Sequence, residues 1–200
     1  GSKVPGVSTG GSKGATFADS LKEASLDRPS ESKATADDLA ARFPDDIELL
    51  RQMAARGQVE MFGAGDTEPV LAAIPYRDRL SQIDALSAKL ARRFGATPRG
   101  AWLTERVWES SVVPALARCG IRYATVDDYH FLCAGRTQHE LDRHFTTEED
   151  GHTLDIFPIS EALRYRIPFA TAGDAVAYLE SLAVAGRRAA AIYFDDIEKL

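Results

Sequence analysis

Gly100-Ala101-Trp102-Leu103-Thr104-Glu105-Arg106-Val107-Trp108 is an apolar run that ends on an acid. Ala191-Ile192-Tyr193-Phe194-Asp195-Asp196-Ile197-Glu198 repeats the design close to the C-terminus. An ionised group at the end of a buried strand is costly to desolvate, so it needs either an arginine partner or a use. One such acid alone fits an ion pair at a strand end. Two of them, each beside aromatic residues, point to paired acid/base chemistry.

Outward from these two segments the pattern alternates between strand and helix. Thr35 with Asp38 reads as a helix start, with Leu39 and Phe43 on one face. Pro44 opens a second helix with Ile47, Leu50 and Met53 inward and Gly57 as its stop. Gln58 to Phe62 reads as a short strand. The helix from Asp78 to Phe94 carries Leu80, Ile83, Leu90 and Phe94 at helical spacing and ends at Gly95. The strand Gly100 to Thr104 follows, then a helix from Val112 to Cys119 and a strand from Ile121 to Val126. Gly151 turns a hairpin before Leu154 to Phe157. Thr171 starts a helix with Val176 and Leu179 inward, and Ala189 to Phe194 is the last strand. Such alternation implies a parallel sheet. Glu60, Glu105, Asp127, Asp128, Asp195 and Asp196 are then expected at or just past strand ends, where parallel α/β folds assemble their sites.

Composition narrows the function classes. The net charge is −6, with basic residues interleaved among acids, so no stripe exists to meet nucleic-acid phosphates. No apolar run approaches the roughly 18 residues that span a bilayer, and no signal-peptide core opens the chain, so a cytoplasmic protein is expected. Two cysteines, Cys119 and Cys133, make neither a disulfide framework nor a CxxC metal site, and both are expected reduced and buried. Fourteen of the first 33 residues are Gly, Ser or Pro. That stretch buries too little to offset its ordering entropy, so residues 1–33 are expected to form a flexible tail, in part an expression scar, before a domain over residues 34–200.

Five ordered segments between Thr35 and Leu200 resemble glycoside hydrolase family 57, within it the 4-α-glucanotransferase and α-amylase branch. They are Arg56-Gly57-Gln58-Val59-Glu60-Met61-Phe62-Gly63-Ala64-Gly65 with Glu68-Pro69-Val70-Leu71 and Ile74-Pro75; Trp102 to Trp108; Val126-Asp127-Asp128-Tyr129-His130-Phe131; Phe157-Pro158-Ile159 with Leu163-Arg164-Tyr165; and Phe194-Asp195-Asp196-Ile197-Glu198-Lys199. The resemblance implies an incomplete (β/α)7-type barrel, parallel strands alternating with helices, and a retaining α-glucan mechanism. Glu105 would be the nucleophile and Asp196 the general acid/base, with carboxyl groups about 5 to 5.5 Å apart and their proton affinities pushed apart. Glu60, Trp102, Trp108, Asp128, His130 and Glu198 would bind substrate. Core packing is the other reading of Trp102 and Trp108, and a strand-end cap the other reading of Asp128 and His130. No metal and no organic cofactor is implied, and the partner would be an α-glucan or maltooligosaccharide.

The chain also departs from the family pattern. It lacks the His-Gln-Pro motif of the family's first strand; its four histidines, His130, His139, His144 and His152, fall mid-chain. It stops before an aspartate-containing sugar-binding motif and the β-rich C-terminal domains. Ile197 stands where the family has glycine, and Ser110 where it has proline. A β-branched residue resists positive φ, so Ile197 would alter the turn that aims Asp196. These departures set a catalytically inactive glucan-binding remnant or fragment beside the enzyme. They also predict self-association through a sheet edge left uncovered. A metal-dependent carbohydrate deacetylase is a further alternative, from Phe194-Asp195-Asp196 and the His139/His144 spacing. On a helix that spacing puts the two rings roughly 140° from eclipsed, so they would not share one metal.

Overall fold

A computed structural model describes residues 41–183, 185, 186 and 189–195. The chain divides into two compact units, Gly1–Ile47 and Glu48–Leu200. The expected tail and the helix start at Thr35 lie outside the described residues. Helix α1 (Pro44–Ala55) begins on a proline, whose missing N–H is needed by no partner in a first turn. None of its residues is buried, so the inward face expected for Ile47, Leu50 and Met53 is corrected to a half-exposed stripe.

The second unit is built on a sheet of five strands: β1 (Phe62–Gly63), β2 (Gly100–Ala101), β3 (Tyr123–Asp127), β4 (Phe145–Glu149) and β5 (His152–Ile159), in the spatial order β1-β2-β3-β5-β4. The first three and β5 run parallel. The hairpin expected at Gly151 makes β4 antiparallel to β5, the one exception to the parallel pattern among the described strands. The strand expected over Ala189 to Phe194 is corrected to an isolated parallel bridge of Ile192 beside Ile159, where the Ser160 N–H donates to Ile192 O at 2.8 Å. The architecture is a parallel-dominated α/β arc of a barrel wall that does not close among the described residues.

Helices fill the connections: α2 (Tyr76–Phe94), α3 (Val113–Arg118), α4 (Asp128–Cys133), α5 (Glu161–Arg164) and α6 (Ala172–Leu182). Strand side chains alternate, so β3 presents Ala124 and Val126 to the helices and Tyr123 and Asp127 to the other face. The helix-side core joins Ala124 and Val126 to Ile83 of α2, Val113 and Leu116 of α3, and Leu103, Ile121 and Leu154. Burying each large aliphatic group here is worth about 1.5–3 kcal/mol relative to exposure, which makes this face the main source of stability. The end of α2 is set by Gly95, which takes φ 67° and returns its N–H to Ala91 O, a conformation costly for any residue with a Cβ.

Three further expectations about elements are corrected. The strand expected over Gln58 to Phe62 is Phe62–Gly63. The strand expected to reach Thr104 ends at Ala101, because residues 104–106 turn into one tight 3-10 turn. In α6, Thr171 does cap the helix, but Val176 and Leu179 face solvent and Ala175 is the buried residue. Helix α4 was not expected from the sequence, although the acidic pair Asp127-Asp128 before buried Phe131 is a recognisable start signal. Cys119 is half-buried and Cys133 exposed, both as free thiols, which corrects the expectation that both are buried. No described helix is long and apolar enough to cross a membrane.

Candidate active site

After β2, the Trp102 N–H donates to Gly63 O at 2.8 Å and prolongs the alignment of the first two strands. Leu103 then points into the core, and the chain turns at Thr104. Glu105 takes φ 55°, ψ 15°, and Arg106 takes φ 56°. Two successive left-handed residues with side chains cost about 1–3 kcal/mol each and persist only where their surroundings hold them. The turn lifts the Glu105 side chain to an exposed position at the C-terminal end of the strand. Among the described residues its carboxylate makes no hydrogen bond or ion pair.

Beside this turn lies a group of four charges. Arg106 Nε is 3.4 Å from Asp127 Oδ2, and its Nη1 is 3.8 Å from Asp195 Oδ1. Arg164 Nη1 is 3.5 Å from Asp127 Oδ1, and its Nε is 3.4 Å from Asp195 Oδ2. The Asp195 side chain is 1% exposed and the other three are mostly buried. A carboxylate so withdrawn from water is tolerable only with cations against it. For Asp127 and Asp195, therefore, an arginine partner at a strand end is the reading that holds.

Aromatic rings line the same face. Phe194 stacks on Trp102 with centroids 4.8 Å apart and leans on Phe62 at 4.9 Å. Phe62 meets the edge of Tyr123 at 5.5 Å, and Tyr123 meets Phe157 at 5.5 Å. Arg106 lies over the Trp102 ring, 5.9 Å from its centroid. Glu60 stands at the other end of this wall, before β1 rather than after it. It accepts a hydrogen bond from Tyr123 Oη at 2.9 Å and pairs with Arg99 at 3.4 Å. Burial, then this hydrogen bond to a carboxylate, pushes the Tyr123 phenol up to about 12.

Trp102 thus shares the end of the sheet that carries Glu105, whereas Trp108 packs against the hydrophobic core. Asp128 is turned away from Asp127: its carboxylate accepts the Glu161 N–H at 3.2 Å and joins the end of β3 to the start of α5. Burial raises its proton affinity above the usual carboxylate range. It also lines a cavity of about 170 Å³ with Ser160, Tyr178 and Ile192. His130 is half-buried on α4, its ring 6.0 Å from that of Tyr129. Asp196, Ile197 and Glu198 lie outside the described residues. Ser110 is exposed and starts a 3-10 turn. His139 sits in a separate 3-10 turn, and His144 packs on Phe157 at 5.4 Å, so they do not share a helix. Among the described residues no group of three or more His, Cys, Asp or Glu side chains is placed to hold a metal ion.

Arg106, Arg164 and Phe194 were not among the site residues expected from sequence. The available signal was an arginine directly after the candidate nucleophile, and another beyond β5 with no acid neighbouring it in sequence. Which acid each one meets depends on three strand ends converging.

A family model described as glycosyl hydrolase family 57 matches residues 40–200. The chain is 47% identical over 156 residues to a 4-alpha-glucanotransferase of Thermococcus litoralis, covering 78% of this chain and 24% of that protein. It is 46% identical over 156 residues to an alpha-amylase of Pyrococcus abyssi, again covering 78% of this chain and 24% of the relative. The crystal structure of the Thermococcus litoralis 4-alpha-glucanotransferase matches with a TM-score of 0.75 at 45% identity, over 82% of this chain and 26% of that one. The chain therefore spans about a quarter of the length of the curated relatives it matches.

Proposed function

The chain belongs to glycosyl hydrolase family 57, and from that premise we infer that it carries the nucleophile and acid/base of a retaining enzyme acting on α-1,4-linked glucans. The observation that carries this reading is Glu105, held in a left-handed turn at a strand end with its carboxylate free of partners among the described residues. Glu105 attacks the anomeric carbon to give a glycosyl-enzyme while Asp196 protonates the leaving oxygen. Asp196 then takes a proton from the acceptor hydroxyl as that oxygen displaces Glu105. The retaining geometry asks for carboxyl groups about 5 to 5.5 Å apart. Trp102 supplies an apolar surface near the reacting sugar, its ring stacked on Phe194 with the Arg106 guanidinium 5.9 Å from its centroid. Glu60, Asp128, His130 and Glu198 bind or orient the glucan. A free, exposed thiol at Cys133 suits a reducing compartment, the cytoplasm. One edge of β1 is unpaired among the described strands, and self-association would cover it.

Maltoheptaose incubated with the chain, beside a Glu105→Gln control, tests the reading by chromatography of the products. Longer and shorter oligosaccharides together, lost in the control, establish a transferase of the 4-α-glucanotransferase type. Shorter products alone establish a hydrolase of the α-amylase type. No product from a folded chain refutes turnover and leaves a silent glucan-binding remnant.

A further inference from the structure

Arg106, Asp127, Arg164 and Asp195 close a ring of alternating charge, each guanidinium against both carboxylates at 3.4 to 3.8 Å. Its members come from separate parts of the fold: the turn after β2, the end of β3, the last residue of α5, and the segment bridged to Ile159 through Ile192. Arg106 is the residue directly after Glu105, and Asp195 directly precedes Asp196 in sequence. We propose that Arg106 and Arg164 are positioning residues: through this ring they clamp the Glu105 turn to the strand end that leads into Asp196. The proposal rests on the retaining reading above and deepens it.

Three features support the clamp. The left-handed turn at Glu105 and Arg106 needs an outside restraint, and the Arg106 guanidinium provides one, fixed by two acids and by the Trp102 ring. The ring's two positive and two negative charges cancel. A lone arginine next to Glu105 would fold onto it and blunt its nucleophilicity, whereas one engaged by Asp127 and Asp195 leaves the Glu105 oxygens open. Finally, each cation spans two acids on different sides, which a guanidinium does with nitrogens fixed in one plane and an ammonium only with freely rotating donors.

The test compares Arg106→Met, Arg164→Met and the two lysine variants with the parent, in the full chain, by kcat and KM on maltoheptaose and by hydrogen exchange. For each folded methionine variant kcat should fall by about thirtyfold with KM within about threefold, the split expected when only transition-state alignment is lost. Lysine should recover only about threefold of the loss, leaving kcat about tenfold below the parent, by restoring charge without the fork. Amides of residues 104–107 should exchange faster in Arg106→Met while those of β3 do not change. A kcat within about threefold of the parent in folded Arg106→Met, or a loss that merely tracks the unfolded fraction, overturns the proposal. Should Arg106→Met fail to fold, Arg106→Lys carries the test, and parent-like kcat there overturns it. If the parent itself lacks turnover, the retaining reading fails separately. Exchange at 104–107 then decides the clamp: faster supports it, unchanged overturns it.

Discussion

Gly100→Ala is the substitution whose cost the structure specifies most closely. A Cβ at Gly100 would stand 2.5 Å from Cε2 and Cζ of Tyr123 and 2.8 Å from its hydroxyl oxygen. Carbon atoms in contact prefer about 3.5–4.0 Å, so the ring must withdraw by about 1 Å. It has little room to do so, since Phe62 and Phe157 meet it edge-on from either side. Withdrawal would stretch the 2.9 Å bond from Tyr123 Oη to Glu60 beyond hydrogen-bond reach. Overpacking costs about 1–3 kcal/mol, and a hydrogen bond to a charged group is worth about 1.5–3 kcal/mol. Glu60 is half-exposed and water would replace its lost donor, which brings the expected total to about 2 kcal/mol. With a urea slope of about 2 kcal/mol/M, the unfolding midpoint followed by circular dichroism should drop by about 1 M. In a Tyr123→Leu background the collision is gone, and Gly100→Ala should cost under about 0.5 kcal/mol, the size of ordinary non-interacting changes. Equal costs in the two backgrounds, or a negligible cost in the parent, would refute the close approach of ring to strand.

The remaining predictions concern stability. Thr171→Ala removes the hydroxyl that accepts the Asp174 N–H and should destabilise by about 1 kcal/mol in urea; no change would mean α6 does not depend on its cap. Asp128→Asn keeps an acceptor for the Glu161 N–H but cannot ionise. Burial raises the folded-state pKa of Asp128 above its unfolded value, so its contribution is full below the ordinary carboxylate range and lost as pH rises through the raised value. Melting temperatures of Asp128→Asn and parent should therefore diverge in favour of the variant from acid towards neutral pH, and parallel curves would contradict the buried carboxylate. Ile83→Ala should cost about 2–5 kcal/mol as a cavity in the helix-side core. Tyr165→Ala, at a side chain 70% exposed, should fall within about 0.5 kcal/mol of the parent, and a reversal of that order would put the core on the wrong face.

Periodicity and capping residues are local, and what depended on them was legible. Helix α2 runs from Tyr76 to Phe94 with Gly95 after it, two residues longer at its start than its apolar spacing indicated. Thr171 caps α6 through its own side chain, and Gly151 turns the hairpin it was expected to turn. The strands at Gln58 to Phe62 and Gly100 to Thr104 are shorter than expected, because an apolar run reads as extended until it reaches the turn that ends it, whereas β5 is longer than the expected Leu154 to Phe157. The inward face of α6 was misjudged for a related reason: Val176 and Leu179 are apolar enough to be buried, but the helix buries its Ala175 side instead.

By itself, the chain's order of residues determined the parallel α/β class, the family, and Glu105 as the acid worth watching, because each rests on types and spacings within short segments. Only the tertiary structure decided that Asp127 and Asp195 share Arg106 and Arg164, that Trp108 belongs to the core while Trp102 stacks on Phe194, and that Asp128 ties β3 to α5. Those outcomes follow from which strand ends converge. Charges and rings far apart in sequence become neighbours only when the sheet brings them within a few ångströms, where Coulomb attraction and close packing act.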